Sequence, residues 1–231
     1  MVAQTLERVK AAVAPGVTTG ELDKIAADYL AQQGARSGPI LTYGYPGAIC
    51  ISVDDEVVHG IPGERVLRSG ELVKLDVAAE LDGYHADAAT TVAVGPVNWR
   101  KQRLMNATRA ALSAGIEAAQ PGATLTDVGA AIERATQARG FHVFRELTGH
   151  GIGREMHEEP TVFNWPAPQG DHRLTDGLVI TIEPMLTAGR PQIVLARDGW
   201  TVRSVDSSPS CHEEHTIMVT DRGPVVLTAG D

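Results

Sequence analysis

The sequence predicts an α+β chain made of two similar halves, with antiparallel strands set between capped helices, and three stretches predict it. In residues 71–95, ELVKLDVAAELDGYHADAATTVAVG, apolar and polar residues alternate up to Asp82-Gly83 and resume from Tyr84 to Val94, as in a β-hairpin about a two-residue turn. Thr18-Thr19-Gly20-Glu21 has the T-x-x-E form of a capping box and leads into an apolar stripe of Leu22, Ile25, Ala26 and Tyr29 before Gly34. That block recurs at a constant offset of 106 residues, as Pro121-Gly122-Ala123-Thr124, Asp127, Val128, Ile132 and a stop at Gly140. A turn, cap, helix and stop repeated over such a span implies two similar halves rather than a solenoid, although a Pro-Gly turn before a capped helix also arises by chance.

The elements follow in order. Leu6, Val9 and Val13 stand at helical spacing over residues 3–13, and Pro15-Gly16 ends that helix. Tyr43-Gly44-Tyr45-Pro46-Gly47 is a loop running into a strand over 48–53, and Asp54-Asp55-Glu56 is a polar turn. Val57-Val58 then leaves His59 at a strand end beside Gly60, where a lone histidine is more often structural than catalytic. Residues 98–119 form a long helix with Leu104, Ala107, Ala111, Leu112 and Ile116 inward, while Arg100, Lys101, Arg103 and Arg109 read as a solvated basic face. The repeated capped helix spans 124–139. Three glycines at 149, 151 and 153 argue against a helix over 148–160, so an irregular loop presents His150 and His157. Leu178 to Pro184 is an apolar strand ending at Glu183, and Gly199 to Val202 starts a hairpin arm. Residues 211–219 form the last long strand, with His212, Glu214 and Thr216 on one face and Glu213 and His215 on the other.

Pairing the hairpin about Asp82-Gly83 sets Val73, Leu75 and Val77 opposite Val92, Thr90 and Ala88 on an apolar face. The other face holds Asp76 opposite Ala89 and Asp87 opposite Ala78. Two carboxylates so close share a proton, bind a cation, or lie solvated on an exposed face, and the hairpin alone leaves all three open.

The chain of 231 residues carries a formal net charge of -9, which argues against nucleic acid or an anionic membrane as main partner. Its two cysteines, Cys50 and Cys211, form neither a disulfide framework nor a zinc ribbon. With no signal-peptide pattern and no apolar run of the roughly 20 residues a bilayer demands, the expected location is cytoplasmic.

Asp76, Asp87, His150, Glu183 and Glu214 all look out of place in apolar strands or glycine-rich segments. Four carboxylates and one imidazole suit two hard or borderline divalent ions better than a thiolate-bound zinc. Around them, VVHGIPG (57–63), LDVAAELDGYHADAATT (75–91), GHGIGREMHEEP (149–160), ITIEPM (180–185), DGWTV (198–202) and EHT (214–216) resemble, in order and over nearly the whole chain, the type I methionine aminopeptidases of the pita-bread metallopeptidase family.

The resemblance implies one pita-bread catalytic domain of two pseudo-twofold-related αβ halves, roughly 1–105 and 106–231, whose antiparallel sheet encloses a dinuclear metal site. It implies that Asp76, Asp87, His150, Glu183 and Glu214 bind two divalent ions (Mn, Co, Fe or Zn), with Asp87 and Glu214 as bridges. His59, His157 and Glu183 are the implied catalytic residues. Tyr45, Cys50, Met156 and Trp200, with the two histidines, match substrate-binding positions. The implied reaction removes the N-terminal methionine of a nascent protein or peptide by attack of an activated water on the first peptide bond. The expected partner is thus such a polypeptide, with the ribosome as a further candidate, and the expected state is a monomer.

The chain departs from the family pattern at Asp54 (commonly Asn), Ala86 (Gly), Val205 (Lys), Pro209 (Leu), His212 (Gln) and Glu213 (aromatic), and it starts within what is usually a longer first helix. These departures put the surroundings of the site in doubt, and no ligand is lost. Two other readings stand beside this one: a pita-bread exopeptidase of the X-Pro type, which usually carries an additional N-terminal domain, and a non-catalytic interaction module on the same fold, which usually loses ligands.

Overall fold

A computed structural model describes residues 1–168 and 171–230. Its helices are α1 (Val2–Ala12), α2 (Thr19–Gln32), α3 (Gly38–Tyr43), α4 (Trp99–Ala118) and α5 (Leu125–Gln137). All strand pairings among the described residues are antiparallel. The hairpin has the register read from the sequence, with Asp76 opposite Ala89, Ala78 opposite Asp87 and Val77 opposite Ala88. Asp82 and Gly83 both take positive φ (53° and 81°), the type I′ geometry that suits the right-handed twist of the strands. Strand Cys50–Val53 adds on the far side of Leu72–Leu81 and sets Cys50 opposite Asp76.

The 106-residue echo is present as local structure. Thr18 and Thr124 each cap their helix through a reciprocal capping box, with Glu21 and Asp127. Gly34 and Gly140 both end their helices at positive φ. Two cores lie behind these helices. One gathers Val9, Leu22 and Ala26 against Val73, Leu75, Val77 and Ala88 of the hairpin. The other gathers Leu104, Ala111, Val128 and Ile132 against Ile180, Ile182 and Ile217. The aliphatic hairpin face thus meets the first core, and the aspartates lie on the opposite face, which is largely buried as well.

Four expectations need correction. Residues 38–43 form a short helix, where only a loop from Tyr43 was expected: Ser37 accepts from the Ile40 amide, Pro39 sits in the first turn and Gly44 closes it at φ 66°. The segment around His150 is a strand, Thr148–Gly151, and a second strand, Glu158–Phe163, pairs with it. The glycines serve close packing there, since a Cβ on Gly149 would lie 2.6 Å from the Thr181 carbonyl oxygen and one on Gly151 2.3 Å from that of Glu159. Gly149→Ala is accordingly expected to cost roughly 1–3 kcal/mol, read as a thermal midpoint lower by roughly 3–10 °C; an unchanged midpoint would contradict this packing.

The third correction concerns the last strand. It is broken into Ser210–His212 and His215–Thr220 with Glu213-Glu214 between, and Gly223–Val226 follows as a further strand. Lastly, the basic face of α4 is only partly solvated. Lys101 binds Asp54 at 2.5 Å and the Gly70 carbonyl at 2.7 Å, and Arg109 reaches Glu213 at 3.3 Å. Two of the atypical acids, Asp54 and Glu213, thus meet cations from one helix.

Candidate active site

Threonines clamp together the segments that carry several of the candidate side chains. Thr216 Oγ1 donates to the Asp87 carbonyl (2.7 Å) and accepts from the Asp87 amide (3.0 Å). Thr91 Oγ1 donates to the His212 carbonyl (2.7 Å) and accepts from its amide (2.9 Å). The hairpin is thereby joined in register to the broken last strand. Thr181 does the same within the second half: it donates to Glu183 Oε1 (2.8 Å) and accepts from the His150 amide (3.0 Å). Sequence reading placed Thr216 on the face of Glu214 without giving it a role and passed over Thr91 and Thr181; the signal for Thr181 and Thr216 is a threonine two residues from a carboxylate, and Thr91 has none.

The break at Glu213-Glu214 sends the two acids apart. Glu213 takes Thr90 Oγ1 (3.0 Å), the Thr91 amide and Arg109, while Glu214, its amide on the Ala89 carbonyl, faces a cavity of about 440 Å³. Every residue singled out as a site candidate lines that cavity: His59, Asp76, Asp87, His150, His157, Glu183, Glu214, Tyr45, Cys50, Met156 and Trp200. Leu147, Met185, Val58 and Tyr43 line it as well; Val58 and Met185 lie within the quoted motifs, and none of the four was singled out as a site residue. Tyr45 stands edge-on to Trp200 with ring centroids 5.2 Å apart, its hydroxyl donating to the Gly60 carbonyl at 2.6 Å.

Electrostatically the cavity is overloaded with carboxylates. Burial pushes Asp76 up to about 6 and Glu183 up to about 8. Burial, and then the neighbouring carboxylates, hold Asp87 and Glu214 well above the ordinary range. Burial pushes His150 down to about 4 and His212 down to about 3, so both imidazoles are neutral at pH 7. The imidazoles are thus in the state metal ligation requires, whereas the crowded carboxylates retain protons that binding a cation would release.

The donor set fits divalent ions on direct observations. Ligand atoms of Asp87, His150 and Glu214 all lie within 4.8 Å of one another. Among the described residues, Asp87 Oδ1 is buried with no hydrogen-bond partner, as are both ring nitrogens of His212. His212 Nε2 stands 3.7 Å from Glu183 and 3.8 Å from Glu214, too far for hydrogen bonds. The other departures are quieter. Ala86 lies opposite Ala79 and packs toward the first core, away from the aspartates; Val205 is exposed; Pro209 accepts from Thr187 through its carbonyl. Among the described residues no helix is long and apolar enough to cross a membrane.

Comparison with known proteins agrees with this chemistry. Residues 1–221 match the model of metallopeptidase family M24. The chain is 40% identical to methionine aminopeptidase 1 of Bacillus subtilis over 99% of its own length and 92% of the relative's. It is 42% identical to the methionine aminopeptidase of Escherichia coli K12, covering 99% and 87%. The crystal structure of methionine aminopeptidase from Thermotoga maritima superposes with a TM-score of 0.96 at 36% identity, over 99% of this chain and 92% of that one. Full-length similarity at this level, on a cavity lined by buried carboxylates and histidines, means that the chain belongs to metallopeptidase family M24, among its methionine aminopeptidases.

Proposed function

We infer that this cavity removes the N-terminal methionine from peptides and nascent proteins, with Asp76, Asp87, His150, Glu183 and Glu214 holding two divalent ions of the Mn, Co, Fe or Zn kind. The observation that carries this is the convergence of four carboxylates, three of them buried and Asp76 partly so, with a neutral imidazole, one carboxylate oxygen having no partner among the described residues. Such bound ions lower the pKa of an attacking water and polarise the scissile carbonyl. Glu183, fixed by Thr181, takes the proton of the attacking water. His157 donates a hydrogen bond to the oxygen that gains charge, and His59 orients the scissile nitrogen as it departs. Tyr45, Cys50, Met156 and Trp200 receive the methionine side chain in an apolar recess that excludes water. The halves 1–105 and 106–231 act as one catalytic domain, since ligands come from both. A cytoplasmic monomer meeting its substrate at or after the ribosome belongs to the same proposal.

The test compares Met-Ala-Ser with Ala-Pro peptides before and after EDTA, with Mn, Co or Fe added back. Hydrolysis of Met-Ala-Ser is expected to vanish on chelation and return with metal, while Ala-Pro peptides stay intact. Normal turnover by verified metal-free protein would remove the metal mechanism. Preference for Ala-Pro peptides would favour an X-Pro exopeptidase, and a metal-loaded protein inert on both would favour an interaction module.

A further inference from the structure

The hydroxyl of Tyr43 lies 2.5 Å from Nδ1 of His157, with ring centroids 5.5 Å apart. Tyr43 is the last residue of α3, and the helix is anchored at both ends. Ser37 Oγ accepts from the Ile40 amide (3.3 Å) and donates to the Ala48 carbonyl (2.7 Å), and the Gly44 amide returns to the Ile40 carbonyl (3.0 Å). The helix start lies on the hairpin, where a Cβ on Gly38 would come 3.2 Å from Ala78. The phenol is therefore delivered to His157 by a braced element of the first half, while His157 belongs to the second.

A neutral imidazole carries one N–H and one bare nitrogen. A phenol is the better donor of the two groups, and a bare imidazole nitrogen is a better acceptor than a phenol oxygen. Burial and the nearby Glu155 carboxylate raise the pKa of Tyr43, so its proton is present to donate. With Nδ1 accepting, the ring proton sits on Nε2, the nitrogen that Tyr43 leaves free to face the cavity. We propose that Tyr43 is a positioning residue for the reaction: through its hydrogen bond to Nδ1 it holds His157 in the Nε2–H tautomer and in a fixed orientation, so that His157 presents a donor to the scissile carbonyl oxygen. This rests on the donor role given to His157 above. It also assigns a function to a residue at the cavity mouth, half exposed, that sequence reading placed in a plain loop.

The test is histidine ¹⁵N spectroscopy with zinc supplied, paired with kinetics on Met-Ala-Ser. The signals of His157, among the eight histidines, are those lost in His157→Gln. In the native protein Nδ1 is expected to be unprotonated and hydrogen-bonded, with the proton on Nε2. Tyr43→Phe is expected to shift both nitrogens toward values averaged between tautomers and to lower kcat by about tenfold, the scale of one hydrogen bond, with KM changed less than twofold. A proton on Nδ1 in the native protein would overturn the proposal, as would His157 signals that do not move in Tyr43→Phe, or an unchanged kcat in that variant. If His157→Gln itself keeps full turnover, the donor role of His157 fails, and the nitrogen signals still report separately on what Tyr43 does to the ring.

Discussion

His157→Ala is expected to keep its full complement of metal and lose turnover on Met-Ala-Ser by roughly 10²–10³ in kcat, the usual cost of removing one donor aimed at a developing oxyanion. His157 touches the site without being among the convergent donors. Its ring packs 4.1 Å from that of His150, and its Nδ1 is occupied by Tyr43. Asp76, Asp87, His150, Glu183 and Glu214 keep their own supports in the variant, because the threonine clamps do not pass through residue 157. Metal analysis beside steady-state kinetics decides the matter: loss of metal would make His157 a ligand, and normal turnover would strip it of the donor role.

Metal-free protein is expected to lose stability as the pH rises from about 6.5 to 8, and a divalent ion should abolish that loss. Glu183, raised to about 8, holds in the folded chain a proton that the unfolded chain releases near its ordinary carboxylate value, and Asp87 and Glu214 are raised as well. Where the folded state binds more protons than the unfolded one, stability falls with increasing pH, by a few kcal/mol in total on the scale of about 1.4 kcal/mol per pKa unit. Below about 6.5 the carboxylate contribution is partly offset, because His150 and His212 stay neutral when folded and take up protons when unfolded. The decline is therefore steepest in the upper window. Thermal midpoints in EDTA should drop by roughly 5–10 °C across it, and addition of Mn should flatten the profile. A metal-free midpoint that is level or rising from pH 6.5 to 8 would mean that the four carboxylates are not the charge problem they appear in the fold.

Much of this molecule was legible one residue at a time. Period-2 alternation about Asp82-Gly83 yields the hairpin register to the residue, because a one-residue slip would turn Leu75 and Val77 out of the first core. The capping boxes at Thr18 and Thr124 follow from local hydrogen bonding and so appear in both halves. The glycines around His150 misled, since a glycine that permits strands to approach and one that loosens a loop are the same letter. Whether Gly149 meets the Thr181 carbonyl depends on which strand comes beside it.

By itself, the sequence determined the period, the turns, the caps and the chemical kind of the site: which side chains are costly to bury, and that Asp76 and Asp87 share a face. The tertiary structure alone decided their company. Thr216 on Asp87 and Thr91 on His212 join segments more than a hundred residues apart; Arg109 pairs with Glu213; and α3 brings Tyr43 onto His157. The reason is physical. Alternation and capping are set by neighbours within a few residues, whereas the worth of a hydroxyl or a charge is set by what burial leaves within hydrogen-bond reach, and only the packed chain specifies that.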